Sequence, residues 1–186
     1  MSAEYGESSP EFIALMKDPK IIDPDLHPVG VAQSEATAPK MAAINFKYVL
    51  VSPMKRALQT CIHMFKTHPN RENIRFIVEP WFHEIMHTMC DVPMDADELI
   101  QKYAPGQPIC HGINFDWSRV QEDSPNLWCP KTIIVEEKKA KFFQKLQERG
   151  GEPTGENVRA VLVDMVSSEL PEGALETKDD MYNRSQ

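Results

Sequence analysis

The densest chemistry in this sequence lies at Ser52-Pro53-Met54-Lys55-Arg56-Ala57-Leu58-Gln59-Thr60. The stretch follows Asn45-Phe46-Lys47-Tyr48-Val49-Leu50-Val51, a run rich in β-branched and aromatic residues, and it opens a helical pattern. It therefore occupies the end of a strand and the first turn of a helix, which is where an open α/β sheet places ligands. The first N–H groups of a helix lack carbonyl partners and can donate to an anion. In that turn the planar guanidinium of Arg56 could add paired hydrogen bonds to a phosphate, which a lysine would not reproduce. On spacing alone Arg56 reads equally as an ordinary surface arginine.

A second set competes with it. His83-Glu84-Ile85-Met86-His87 satisfies H-E-x-x-H, in which two histidines one helical turn apart bind zinc and the glutamate polarises water. The set begins soon after Pro80 and is followed by Pro93, so a zinc-presenting helix has little room there. Glu98 is the candidate third ligand. The plainer reading is that His83 and His87 line a pocket or the surface. His27, His63, His68 and His111 share no spacing and read as surface or turn residues.

The elements that must position these groups follow from periodicity. A strand over 45–51 turns at Ser52-Pro53, with Pro53 suited to the first helical position. The next helix buries Met54, Leu58, Cys61, Ile62 and Phe65, with Lys55, Gln59, His63 and Lys66 largely opposite. It ends near His68-Pro69-Asn70, and Asn73 to Glu79 alternates as a second strand closed by Pro80. Strand, helix, strand predicts a parallel crossover. Pro28 to Met41 reads as a helix entered through the Asp23-Pro24-Asp25 turn, and Asp95 to Tyr103 as a short helix with acidic residues first. Residues 104–130, with their prolines and two exposed-looking tryptophans, Trp117 and Trp128, read as a long loop insertion. Lys131 to Arg149 reads as one amphipathic helix stopped by Gly150-Gly151. Residues 157–168 suit a strand or a buried helix, with helix preferred, and Glu176 onward begins another helix.

Composition bounds the functions. The 186 residues, 41% of them hydrophobic, suffice for one domain with a sizeable core, read as residues 1–186. A net charge of −8 argues against nucleic acid, and no apolar run approaches the roughly 20 residues of a membrane span. Cys61, Cys90, Cys110 and Cys129 form no CxxC pair and read as reduced, mostly buried thiols. No signal or transit pattern stands at the N-terminus, so the expected compartment is cytoplasmic. Neither a metal nor an organic cofactor is expected.

The segment Ser52 to Thr60 resembles the S-P-x-x-R-A-x-Q-T stretch of the histidine phosphatase superfamily, the phosphoglycerate mutase-like proteins. Two further similarities fall in order. Asp25-Leu26-His27-Pro28-Val29-Gly30-Val31-Ala32-Gln33 is similar to the family's D-x-L-T-x-x-G-x-x-Q, with His27 in place of the hydroxyl residue, and Glu79-Pro80-Trp81-Phe82-His83-Glu84 is similar to x-P-x-L-x-E. The resemblance implies a three-layer α/β/α fold with a mostly parallel sheet, a small phosphorylated compound as ligand, Arg56 as the phosphate-binding residue and Glu84 as the general acid. That last role needs a carboxyl kept protonated, as partial burial against Trp81 and Phe82 could arrange.

What the family has and this chain lacks is its pair of histidines. The family opens on a strand ending in R-H-G-E, whose imidazole attacks phosphorus. Here Glu4-Tyr5-Gly6-Glu7-Ser8 keeps Gly-Glu but carries Glu and Tyr where Arg and His are expected, and too few residues precede it for the strand. The second histidine follows a helix resembling Glu176-Thr177-Lys178-Asp179-Asp180-Met181-Tyr182, within which the chain stops. The resemblance thus predicts an inactive domain, incomplete at both ends and missing terminal strands. A protein partner that completes or holds it is expected, because the exposed sheet edge is otherwise unpaired. The alternatives are a non-catalytic interaction subunit of the same fold and, more remotely, the zinc hydrolase.

Overall fold

The computed structural model describes residues 9–122 and 124–169, with Asp179 and Tyr182. In chain order the elements are α1 (Pro10–Met16), α2 (Pro28–Ala42), β1 (Tyr48–Val51), α3 (Lys55–Phe65), β2 (Arg75–Val78), α4 (Ala96–Lys102), β3 (Phe115–Asp116), α5 (Trp128–Thr132), α6 (Glu136–Glu148) and α7 (Gly155–Glu169). They form two compact units. One contains residues 24–83 and 96–128, and the other residues 9–23, 84–95 and 129 onward.

The first of these units is built on a parallel sheet in the order β1-β2-β3. The parallel pairing of β1 with β2, expected from the strand-helix-strand pattern, sets Tyr48 beside Arg75 and Val51 beside Val78. α3 buries Leu58, Cys61, Ile62 and Phe65 on one face, as the helical spacing predicts. Aromatic rings continue that core across the sheet: Phe46 to Phe65 at 5.2 Å, Phe65 to Phe76 at 5.4 Å and Phe76 to Phe115 at 6.2 Å between centroids. α2 lies along α3. Pro28 opens α2, and its N-cap is His27, whose Nδ1 accepts the N–H of Val29 at 3.2 Å. On the exposed side Glu35 joins the two helices. The Lys66 ammonium at 2.6 Å, and then His63 at 3.1 Å, hold its carboxyl below the usual range.

Several expectations fail in this unit. Residues 104–130 are no bare loop: they supply β3 and the single 3-10 turns Pro108–Cys110 and Pro125–Leu127. Trp117 and Trp128 are 5% and 4% exposed, not surface residues. Prolines and a two-residue strand leave no periodicity to read, yet large rings gain most by burial. Trp128 meets the His83 ring at 5.8 Å, and Asn126 reaches back to α4, accepting the N–H of Ala96 at 2.9 Å and donating to Asp97 at 3.1 Å. His68 follows α3 in a turn but is buried. Its Nδ1 accepts the N–H of Asn70, so Nε2 carries the proton and donates to the Ile44 carbonyl at 3.1 Å.

The other unit is helical. Ser9 caps α1, its Oγ accepting the N–H of Phe12 at 3.1 Å. The helix expected over 131–149 is divided. α5 ends at Thr132 and α6 starts at Glu136, because the β-branched run Thr132-Ile133-Ile134-Val135 lowers helix propensity and Glu136 and Glu137 favour a fresh N-terminus. Gly150 and Gly151 end α6 with φ of 104° and 78°, which glycine adopts without strain. α7 settles the ambiguity at 157–168: Val158, Val161, Leu162, Met165 and Val166 are buried at helical spacing. At the start of α7, a Cβ on Gly155 would collide with the side chain of Asp95.

All four cysteines are thiols outside any disulfide, as expected. Burial pushes the Cys61 thiol up to about 12 and raises that of Cys110. Since the thiolate is the reactive form, iodoacetamide at pH 8 should modify half-buried Cys90 in the native protein and reach Cys61, Cys110 and Cys129 only after urea unfolding. Peptide mapping that finds Cys61 alkylated as fast as Cys90 would contradict this packing.

Candidate functional site

The sequence motif at Ser52 to Thr60 does sit at the C-terminal end of a parallel strand. β1 ends at Val51, Ser52 and Pro53 turn the chain, and α3 runs from Lys55. Pro53 does not take the first helical position. Met54 is the N-cap and makes no side-chain capping bond, and its carbonyl accepts the N–H groups of Ala57 and Leu58, each at 3.0 Å. Arg56 is the second residue of that turn and is half-buried, and the Thr60 hydroxyl donates to its carbonyl at 2.8 Å.

Two motifs far apart in sequence meet here. The Gln59 amide donates to Asp25 Oδ1 at 2.8 Å, and its oxygen accepts the N–H of Leu26 at 2.5 Å. One glutamine thus satisfies the loop before α2 and fixes it against α3. The Asp25 oxygen also lies 3.8 Å from Lys55 Nζ and 3.9 Å from Lys102 Nζ, so cations from α3 and α4 face a single carboxylate. His27, two residues on, is exposed and is committed to capping α2.

The ends of the other two strands carry groups that the sequence did not single out. After β2, Glu79 is buried and forms an ion pair with Arg119. Arg119 sits in the turn after β3, closed by the N–H of Val120 on the Trp117 carbonyl at 2.9 Å. Asp116 accepts the N–H of Ser118 at 3.1 Å, and Ser118, followed by Arg75, holds its carboxyl below the ordinary range. Ser52 Oγ and Trp117 Nε1 are buried and make no hydrogen bond among the described residues. A pairing between Glu79 and Arg119, 40 residues apart, leaves no local signal. A charged residue just past a strand was the only available hint.

The H-E-x-x-H residues do not form the zinc arrangement. Residues 83–87 are not helical, so His83 and His87 do not form the one-turn pair that zinc binding by H-E-x-x-H needs: His83 is buried and His87 exposed. Among the described residues no three His, Cys, Asp or Glu side chains converge as metal ligands, and Glu98 lies exposed on α4. Glu84 is exposed. It belongs to the helical unit, whereas Arg56 belongs to the sheet unit. Glu4 to Ser8 and nearly all of 176–186 lie outside the described residues. No described helix is long and apolar enough to cross a membrane.

A parallel sheet with a crossover helix, and a strand-to-helix turn bearing an arginine, make this an α/β protein, consistent with a phosphoglycerate mutase-like fold. Residues 20–107 match the model of the histidine phosphatase superfamily (branch 1), so this stretch of the chain is similar to that superfamily. The match spans the Asp25, Arg56 and Glu84 motifs. No curated protein and no solved structure matches the chain.

Proposed function

We propose that this chain binds the phosphoryl group of a small phosphomonoester at the start of α3 and, as sequenced, does not hydrolyse it. The observation that carries the reading is the N-terminus of α3, without a side-chain cap and bearing Arg56 in its first turn at the end of a parallel strand. The helix dipole, the backbone N–H groups of a helix start and a guanidinium all favour a dianion there. The superfamily resemblance assigns Arg56 to phosphate and Glu84 to proton donation. Turnover needs a nucleophile, and no Arg-His-Gly occurs in the 186 residues. Tyr5, with a reference pKa of about 10, is largely un-ionised at neutral pH and is a poor replacement for imidazole.

An NMR titration with inorganic phosphate tests the binding. Wild type should show saturable shifts, and Arg56→Ala should weaken the Kd by roughly 10- to 100-fold, the range for losing a charge-assisted hydrogen bond. Arg56→Lys should recover only part of the loss. Equal Kd values for wild type and Arg56→Ala would end this assignment. A phosphate-release assay on the same chain with p-nitrophenyl phosphate should show no turnover above buffer, and clear turnover would refute the missing-nucleophile account.

A further inference from the structure

We infer that Arg119 is a second phosphate-contacting residue, oriented by Glu79, with Ser52 and Trp117 as neutral donors beside it. The inference rests on the phosphate reading above and extends it to the ends of the other two strands.

The register places the groups. Val51 pairs with Val78, and the Glu79 N–H donates to the Val51 carbonyl at 2.8 Å, so Glu79 leaves β2 alongside Ser52, two residues before the N-cap of α3. A bare carboxylate buried there would repel an arriving phosphate. Arg119 removes that conflict. Its side chain is 50% exposed against 7% for Glu79, so the carboxylate is the inner partner and the guanidinium the outer one. Guanidinium has five N–H donors in a planar fork. Among the described residues only Nη1 is engaged, on Glu79. The rest of the fork is available to an oxyanion while the Glu79 contact fixes its plane.

The unpaired neighbours point the same way. Buried polar atoms are nearly always hydrogen-bonded. Ser52 Oγ after β1 and Trp117 Nε1 after β3, the latter on a residue 5% exposed, are not, and in the strand order they fall on either side of Glu79. Both can donate, and indole N–H can do nothing else. Two orphan donors and a partly unused guanidinium, each following the C-terminal end of a strand of one sheet, amount to donors in want of an acceptor. A phosphate supplies three such oxygens.

The same phosphate titration decides it. Arg119→Ala should raise the Kd about tenfold or more, and Arg119→Lys, which keeps a countercharge for Glu79 but not the fork, should raise it several-fold. Trp117→Phe, which deletes only the N–H, should weaken binding by a few-fold. Should Arg119→Ala fail to fold, the lysine variant carries the test, with its urea midpoint confirming the native state. If Arg56→Ala loses phosphate while Arg119→Lys and Trp117→Phe bind like wild type, the role of Arg119 is overturned and the α3 site stands. If wild type binds no phosphate, or Arg56→Ala changes nothing, the underlying reading falls, and this inference with it.

Discussion

Phe76→Ala should destabilise the protein by about 3–5 kcal/mol, the usual range for a fully buried phenylalanine. Phe76 is 1% exposed in the middle strand of the sheet, with the rings of Phe65 and Phe115 at 5.4 and 6.2 Å. Its ring joins α3 to β3 across β2. Alanine would remove that contact and leave a cavity that the surrounding strands, held by backbone hydrogen bonds, cannot close. Against a total stability of roughly 5–15 kcal/mol, such a loss is large. Urea unfolding followed by tryptophan fluorescence measures it, since Trp117 lies in the same unit. Tyr48→Ala is the control. Tyr48 is exposed, and beyond its stacking contact with Arg75 it should matter little. A loss below about 1 kcal/mol for Phe76→Ala would mean that the aromatic row is not the core of this unit.

Phe142→Ala should have a loss of the same order in the helical unit, about 3–5 kcal/mol. Phe142 is fully buried on α6, which packs against α7, while the adjacent Phe143 is only half-buried, its ring 5.3 Å away and nearly perpendicular. The pair therefore tests the rotation of α6 about its axis. Phe143→Ala should lose distinctly less, because much of that ring is already in water. The exposed Lys145–Asp164 pair at 2.6 Å, which also joins α6 to α7, should contribute no more than about 1 kcal/mol. Equal losses for the two phenylalanines, measured by chemical denaturation, would show that the helix presents a different face.

Much of this architecture was legible in the chain. The period of α3 announced its buried face, and the strand-helix-strand order announced a parallel pair, because both are local consequences of which side of an element meets the core. The nine residues at Ser52 to Thr60 placed Arg56 at the helix start, since a strand end followed by a turn and a helical period is itself a local pattern. Their similarity to the histidine phosphatases agreed with the match over residues 20–107. The break between α5 and α6 was also written locally, in four β-branched residues followed by two glutamates, and was hidden by the charge run beyond it.

Other features were decided only by the packed chain. A two-residue strand such as Phe115–Asp116 has no period to detect, and it becomes a strand only because β2 offers it an edge. The two tryptophans are buried because the elements that cover them come from elsewhere in the sequence. Gln59 recognises Asp25 and Leu26 across 34 and 33 residues, and Arg119 reaches Glu79 across 40, distances at which sequence spacing carries no geometric information. The arginine of the motif could thus be read from the order of residues alone. Its proposed companions could not, because a parallel sheet brings strand ends together through hydrogen bonds between segments far apart in the chain.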